Sequence, residues 1–385
     1  MPALSLHPRV AENTADASVY LGKDACAAAR DLKCATRARG GYWQASYWLS
    51  QEDFTLAELT EFYMLNIASR LRLAAYGITA WEGLLWKMEL SHAGTVSTVD
   101  LDRMINACNI YYSNTVGSRK KTGWSTNSNS TGIFGERGVA VSLGGSSKQA
   151  AANLRATILA NQAWPRSWRT GGDNLAGVAV WARDPARLSV TARGYFHTLD
   201  WEWQETTVSN RYTDLALATL IGNSEFVTAG MMDTNDNGAG EVARVDCYPI
   251  PRPLGECVLE LLEQGDTSGD AWQGGVYAGR TFNYHAAPTD WTYQRQGAAL
   301  LDKCGGQVEC LALVRPGFLL YNADAPTGWA KPGTASDWDD PQVGYVEEVE
   351  WVAGSAKGPD ELRLMFPGEV TPVTVIQERI RRGNA

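Results

Sequence analysis

The chain has 385 residues, 44% of them hydrophobic and 20% charged, and its 34 Lys and Arg against 43 Asp and Glu give a formal charge of −9. That length predicts two or three domains, because a single core seldom grows so far, and the lack of any basic cluster beyond 118–121 excludes nucleic acid as a partner. No apolar run reaches the ~18 residues of a membrane span, and residues 1–20 lack the layout of a signal peptide, so synthesis and folding in a cytoplasm are expected.

Seven cysteines at 26, 34, 108, 247, 257, 304 and 310 are scattered, with no CxxC pair and no His at ligand spacing. Reduced, partly buried thiols are expected. Fifteen Trp and fifteen Tyr suit strands and interfaces, where a large ring is buried and a polar tip finds a partner.

Strands dominate the chain-order reading. Residues 56–73 carry helical spacing at Leu56, Leu59, Phe62, Tyr63 and Ile67 but alternate like a strand in their later part, so helix and strand both stay open. Residues 78–91 predict a long strand closed by a turn at 92–94, and 99–112 predict a short helix or a strand. The Gly-, Ser- and Asn-rich stretch 113–132 reads as an exposed, mobile loop. Residues 146–168 predict a helix capped by Ser146 or Ser147, facing Leu154, Ile158 and Leu159 inward and ended by Pro165. Strands follow at 176–182 and 187–203, the second broken at Gly194 as at a bulge or barrel corner.

In the second half, helices are predicted at 211–222 and 254–264, flanking a short β element. A strand-like aromatic stretch covers 276–294. Residues 309–325 and 343–368 read as an antiparallel pair with a turn at 354–358. The organisation is therefore two β units with attached helices.

Few residues invite chemistry. Asp233, Asn235 and Asn237 with Gly238 resemble a calcium loop, but the twelfth position is Arg244 where a bidentate Glu is needed. A tight turn is the expectation. In 197–203, His197, Leu199, Trp201 and Trp203 would share one strand face, with Asp200 and Glu202 together on the solvent face. Two carboxylates on one side of a ligand do not flank a scissile bond. Glycines at 138–147 lack a dinucleotide or phosphate fingerprint, and His7, His92, His197 and His285 are too scattered for a metal centre. The acidic run 337–341 reads as a solvated loop. No catalytic, cofactor-binding or metal residue is nominated, and no cofactor is expected.

The order of segments resembles the minor tail and baseplate hub-type proteins of long-tailed bacteriophages. The likeness spans roughly residues 40–325 and rests on Trp81, Glu82, Gly83, Trp86, Gly135, Glu136, Gly144, Trp164, Pro165, Gly194, Tyr195, Leu199, Tyr293, Pro316 and Gly317. It is a likeness of pattern, without a diagnostic motif and without a lysozyme-like insertion. It implies an α+β, predominantly β fold of two small β-barrel-like units with attached helices and loops. The expected boundaries are an N-terminal extension over 1–40, a first unit over 41–206 with a helix at about 146–164, a connecting region over 207–275 and a second unit with a C-terminal tail over 276–385.

The implied role is a structural, non-enzymatic ring at a phage tail tip, in the virion tail. Its partners would be further copies of itself, as a homotrimer, and the tube, distal tail, spike or fibre proteins. The alternative is a tail-associated protein that binds or degrades carbohydrate or peptidoglycan, with exposed Trp as sugar platforms. Spacing opposes that for Trp81 and Trp86, which fall on opposite faces of a strand, and for Trp201 and Trp203, which alternate with charges. A host protein of another role is the third reading.

Overall fold

The computed structural model describes residues 3–9, 29–75, 78–113, 118–171, 185–210, 212–234, 242–248, 250–265, 272–288, 290–322, 343–353, 359–367 and 373–377. Strand β1 (Ala3–Arg9) precedes β2 (Arg30–Arg37) and β3 (Arg39–Ser50), which pair as a hairpin. The 56–73 stretch is both of its readings in turn: a helix over Leu56–Leu65, then β4 (Ser69–Ala75). Thr55 and Glu58 close a reciprocal capping box at the helix start, satisfying backbone donors that have no partner within the helix. Strand β5 (Ile78–His92) turns into β6 (Thr95–Asp100) through Ala93 and Gly94, both at positive φ, the two-residue turn whose twist suits a hairpin.

The polar stretch 113–132 departs from the expectation of a mobile loop. After β7 (Ala107–Ser113), its described residues form β8 (Arg119–Lys121), β9 (Ser125–Thr126) and most of a helix over Ser128–Phe134. Asn127 caps that helix by accepting from the Ser130 amide, and the Ser130 hydroxyl donates to the Ala163 carbonyl. The short polar side chains that suggested a loop are spent on caps and ties. Strand β10 (Gly138–Leu143) leads to the expected helix, Lys148–Gln162, capped by Ser147. Leu154, Ile158 and Leu159 are half-buried against Cys108, Ile110 and Tyr112 of β7, making a small apolar core of their own. Strand β11 (Arg166–Thr170) follows; the strand expected at 176–182 lies outside the described residues.

Strand β12 (Arg187–Gly194) ends where a continuous strand to 203 was expected, and a 3-10 helix covers Tyr195–Trp201. Next come β13 (Trp203–Gln204), β14 (Val208–Asn210), the expected helix at Thr213–Ile221, β15 (Thr228–Met232), β16 (Ala243–Val245), β17 (Arg252–Pro253) and the expected helix at Leu254–Gln264. Strands β15 and β16 do not pair with each other: β15 lies parallel to β19 (Thr281–Ala286), itself hairpinned to β18 (Trp272–Tyr277), and β16 pairs with β14. The tight turn expected at 233–241 falls outside the described residues from Asn235 to Glu241; Asp233 prolongs β15 by donating its amide to the Tyr284 carbonyl. The C-terminal strands are β20 (Trp291–Gln296), β21 (Ala299–Asp302), β22 (Phe318–Asn322), β23 (Val343–Val346), β24 (Glu348–Val352), β25 (Asp360–Met365) and β26 (Val373–Gln377). β22 pairs antiparallel with β23, and β24 with β25 across the expected turn at 354–358, which itself lies outside the described residues.

The α+β, predominantly β class is what the molecule shows, but its sheets are not closed barrels. A fourteen-stranded sheet runs β1-β4-β5-β12-β3-β2-β24-β25-β26, and among the described residues no ladder joins β1 to β26. Instead of rolling up, the sheet branches: β5 carries β6 and β11 beyond the end of β4, and β3 takes β18 on its Arg39–Gly41 end. That last junction is glycine-dependent, since a Cβ on Gly41 would lie 2.2 Å from the Val276 carbonyl oxygen and one on Gly275 would lie 2.2 Å from the Gly41 nitrogen. The main core lies on both faces of β5, where Trp81 and Trp86 are both buried. Both rings are interior, and the ladder to β12 slips between Leu85 and Lys87, so the two-residue alternation does not run unbroken from Trp81 to Trp86.

Candidate functional site

The richest side-chain cluster gathers around the 195–203 segment, although not in the geometry expected of a strand. Strand β12 ends at Gly194, where only glycine fits, since a Cβ there would stand 1.6 Å from the Tyr42 carbonyl oxygen. The backbone then tightens into the 3-10 turn, and the two-residue alternation on which the face assignment rested is lost. Tyr195, Phe196, Leu199 and Trp201 turn into the core, while His197 is half-buried. Trp201 stacks on Trp86 with ring centres 5.0 Å apart and meets Phe226 edge-on at 5.2 Å. His197 packs 4.1 Å from Trp43 and 6.1 Å from Trp86.

Arginines close the cluster. Arg137, only 3% exposed, lies 3.7 Å over Trp201 and 5.1 Å over Trp86. Arg193 lies 4.7 Å over Trp86 and pairs with Asp102 at 3.1 Å, and Asp102 also accepts from the Trp86 indole at 2.5 Å. Arg37 covers Trp43 at 4.1 Å. Burial pulls the Arg137 guanidinium down to about 9, with Asp102 and Asp100 opposing; its Nε and Nη1 have no acceptor among the described residues, so the aromatic faces supply most of its compensation. Burial, and then Arg193 and Arg37, press His197 down to about 4, leaving a neutral imidazole at pH 7.

The two carboxylates expected on one solvent face have different partners. Asp200, which is exposed, stands against the first turn of the Leu254–Gln264 helix, its Oδ1 only 2.3 Å from where a Gly255 Cβ would be. Glu202 is half-buried and accepts from the Ser224 hydroxyl at 2.6 Å and the Glu225 amide at 2.5 Å. Desolvation, with Glu256 adding to it, raises Asp200 to about 6; desolvation raises Glu202 to about 7 against the hydrogen bonds that favour its charged form. Asp200 stands beside a helix start and Glu202 ties down a loop, so the two have separate surroundings.

Two further carboxylates matter: Glu205, which the sequence does not single out, and Glu82, which enters there only as part of the tail-protein pattern. Glu205 accepts from Lys121 Nζ, from the Trp124 indole at 2.8 Å and from Asn109 at 3.2 Å, tying the small sheet of β7, β8, β9 and β10 to the main body. Glu82, 1% exposed, pairs with Arg70 at 2.9 Å and accepts from the Gly279 amide at 3.2 Å. The Glu205 partners are 81 to 96 positions away, and Glu82 combines Arg70, across the β4–β5 hairpin, with Gly279, 197 positions on. A cavity of about 420 Å³ between the start of β5 and the β20–β22 region is lined by Ile78, Thr79, Ala80, Thr292, Tyr293, Leu313, Arg315 and Phe318. Its one charged group, Arg315, is 4.8 Å over the Tyr277 ring. Among the described residues, no three His, Cys, Asp or Glu side chains are grouped to hold a metal ion. The large exposed aromatics Trp164 and Trp168, 45% and 42% exposed, stand at the end of the Lys148–Gln162 helix and on β11.

No family model matches the chain, and no curated protein does. Among solved structures it is similar to an E. coli protein described as a component of the type VI secretion system with structural similarity to the T4 bacteriophage tail proteins gp27 and gp5. Identity is 7%, coverage is 91% of this chain and 74% of that one, and the TM-score is 0.35. A likeness at that level assigns neither fold nor role.

Proposed function

We propose that the chain is a structural subunit of a bacteriophage tail tip, a hub-like piece that joins the tail tube to the distal tail or spike by self-association and contacts with other tail proteins, without catalysis. The observation that carries this reading is what the residues of the tail-protein pattern do. Trp81, Glu82, Trp86, Tyr195 and Leu199 are buried, and a Cβ on Gly83, Gly135 or Gly317 would lie 2.2, 2.4 or 1.6 Å from a neighbouring atom. Gly144 faces open space, and Glu136 and Trp164 are exposed, so these three stand apart from the packed set. The pattern therefore encodes a scaffold. Branch strand β11 adds to this: all five of its residues are exposed and, among the described residues, it pairs with β6 alone. An exposed edge of that kind must be protected or paired with a neighbour.

The subunit is expected as a homotrimeric ring, made in the host cytoplasm and carried in the virion tail. Cryo-electron microscopy of purified particles tests this: three copies at the tail tip are expected, and a capsid location or absence from particles would overturn it. The exposed Trp164 and Trp168 favour a second reading, a carbohydrate- or peptidoglycan-binding tail protein. Sedimentation with purified peptidoglycan that is lost on replacing both by Ala would favour that reading over the first.

A further inference from the structure

Cys247 and Cys257 are the one pair of thiols brought together among the described residues, their sulfurs 3.5 Å apart and both buried. Cys247 lies just past β16, and Cys257 lies in the first turn and a half of the Leu254–Gln264 helix. The connection between them is short and proline-rich, and is held to the helix by Arg252, which pairs with Glu260 at 2.5 Å and Glu256 at 3.9 Å. From this geometry we propose that Cys247 and Cys257 form a reversible intramolecular disulfide, a covalent state in which β16 is clamped to the start of the helix.

The two sulfurs need approach by only about 1.5 Å to reach the ~2.05 Å of a disulfide. The reaction partner is a small disulfide such as oxidised glutathione. A Cys247 thiolate attacks one of its sulfurs and expels one glutathione thiolate; the Cys257 thiolate then attacks the Cys247 sulfur of the mixed disulfide and expels the second. Two protein thiols are oxidised, one glutathione disulfide is reduced, and the two protons that the protein thiols give up are taken by the two expelled glutathione thiolates. Cys247 is the better attacking group. The contact between the two sulfurs lowers the titration of Cys247 and raises that of Cys257, and Arg252 favours the thiolate form of both. Access needs a local opening of the 246–251 connection, where Tyr248 and Ile250 are 79% and 59% exposed and leave Cys247 as the buried anchor.

The test uses the full chain carrying Cys304→Ser, which removes an exposed thiol. It is equilibrated with oxidised and reduced glutathione in defined ratios at pH 8, quenched with acid, alkylated and mapped by mass spectrometry. A 247–257 cross-link is expected, with an oxidation equilibrium constant at least tenfold higher in the native chain than in the same chain in urea. Cys257→Ser should stop at the glutathione adduct on Cys247, with circular dichroism reporting whether that variant is folded. The proposal is overturned if both thiols remain alkylatable after equilibration, if the adduct on Cys247 accumulates in the parent chain, or if the native and urea constants are equal. None of these outcomes depends on where the chain resides.

Discussion

Gly194 fixes the most consequential backbone decision in the molecule. A methyl group there would overlap the Tyr42 carbonyl oxygen at 1.6 Å, and neither β3 nor β12 can yield without breaking its ladder. Gly194→Ala should therefore cost about 3 kcal/mol or more, at the upper end of overpacking effects, read as a lower urea midpoint. Glu82 gives a contrasting expectation. With Arg70 replaced by Ala, a carboxylate 1% exposed loses its counter-ion, at a cost of about 3–5 kcal/mol, whereas Arg70→Met with Glu82→Leu removes both charges and should recover most of it. Double-mutant urea denaturation decides. His197 links the aromatic cluster to pH: its folded value of about 4 lies below its ordinary 6.5. The stabilisation is present above pH 6.5 and is lost as pH falls toward 4, on the order of 2 kcal/mol. His197→Gln should be less acid-sensitive than the parent over that window, and equal slopes would dismiss the assignment.

At the scale of elements, legibility in the sequence depended on whether the determining forces were local. The Lys148–Gln162 and Leu254–Gln264 helices and the long β5 strand are set by caps, periodicity and turn residues within a few positions, and each was foreseen. The 56–73 ambiguity was real, because that stretch is two elements joined at Ala68, a non-glycine residue at positive φ. The close approach that requires glycine at 194, where the 195–201 turn begins, involves Tyr42, about 150 residues earlier in the chain, and no local pattern signals it. With that turn went the shared solvent face of Asp200 and Glu202, while the tie made by half-buried Glu205 and the contact of buried Glu82 with Gly279 depend on remote partners. Glu202 joins elements through the 224–225 amides and hydroxyl, and its folded value of about 7 exceeds the ordinary 4.5. The protonated form is thus favoured by folding, so its contribution is full below pH 4.5 and declines as pH rises to 7. Glu202→Gln should gain on the parent in melting temperature across that range, opposite in sign to the His197 effect.

For the whole molecule, the separation of the small core around Cys108, Ile110 and Ala151 from the large one predicts two levels of protection. Glu205→Ala, which removes the tie to Lys121, Trp124 and Asn109, should speed amide exchange in β7 and β10 at least tenfold and leave β3 and β12 unchanged. Hydrogen exchange read by mass spectrometry resolves the two. A uniform increase would mean one cooperative unit.

The β2–β24 ladder pairs Lys33 with Val352 and Arg37 with Glu348, residues 311 positions apart for the latter ion pair. On a ribosome adding about 5–20 residues each second, β2 waits roughly 15–60 s for the strand that covers its outer edge. During that interval the nascent chain presents an unpaired edge beside apolar side chains such as Leu32 and Cys34. Slow production of this chain therefore favours holdase assistance, and synonymous changes that slow translation between β3 and β24 should lower soluble yield without altering the purified protein.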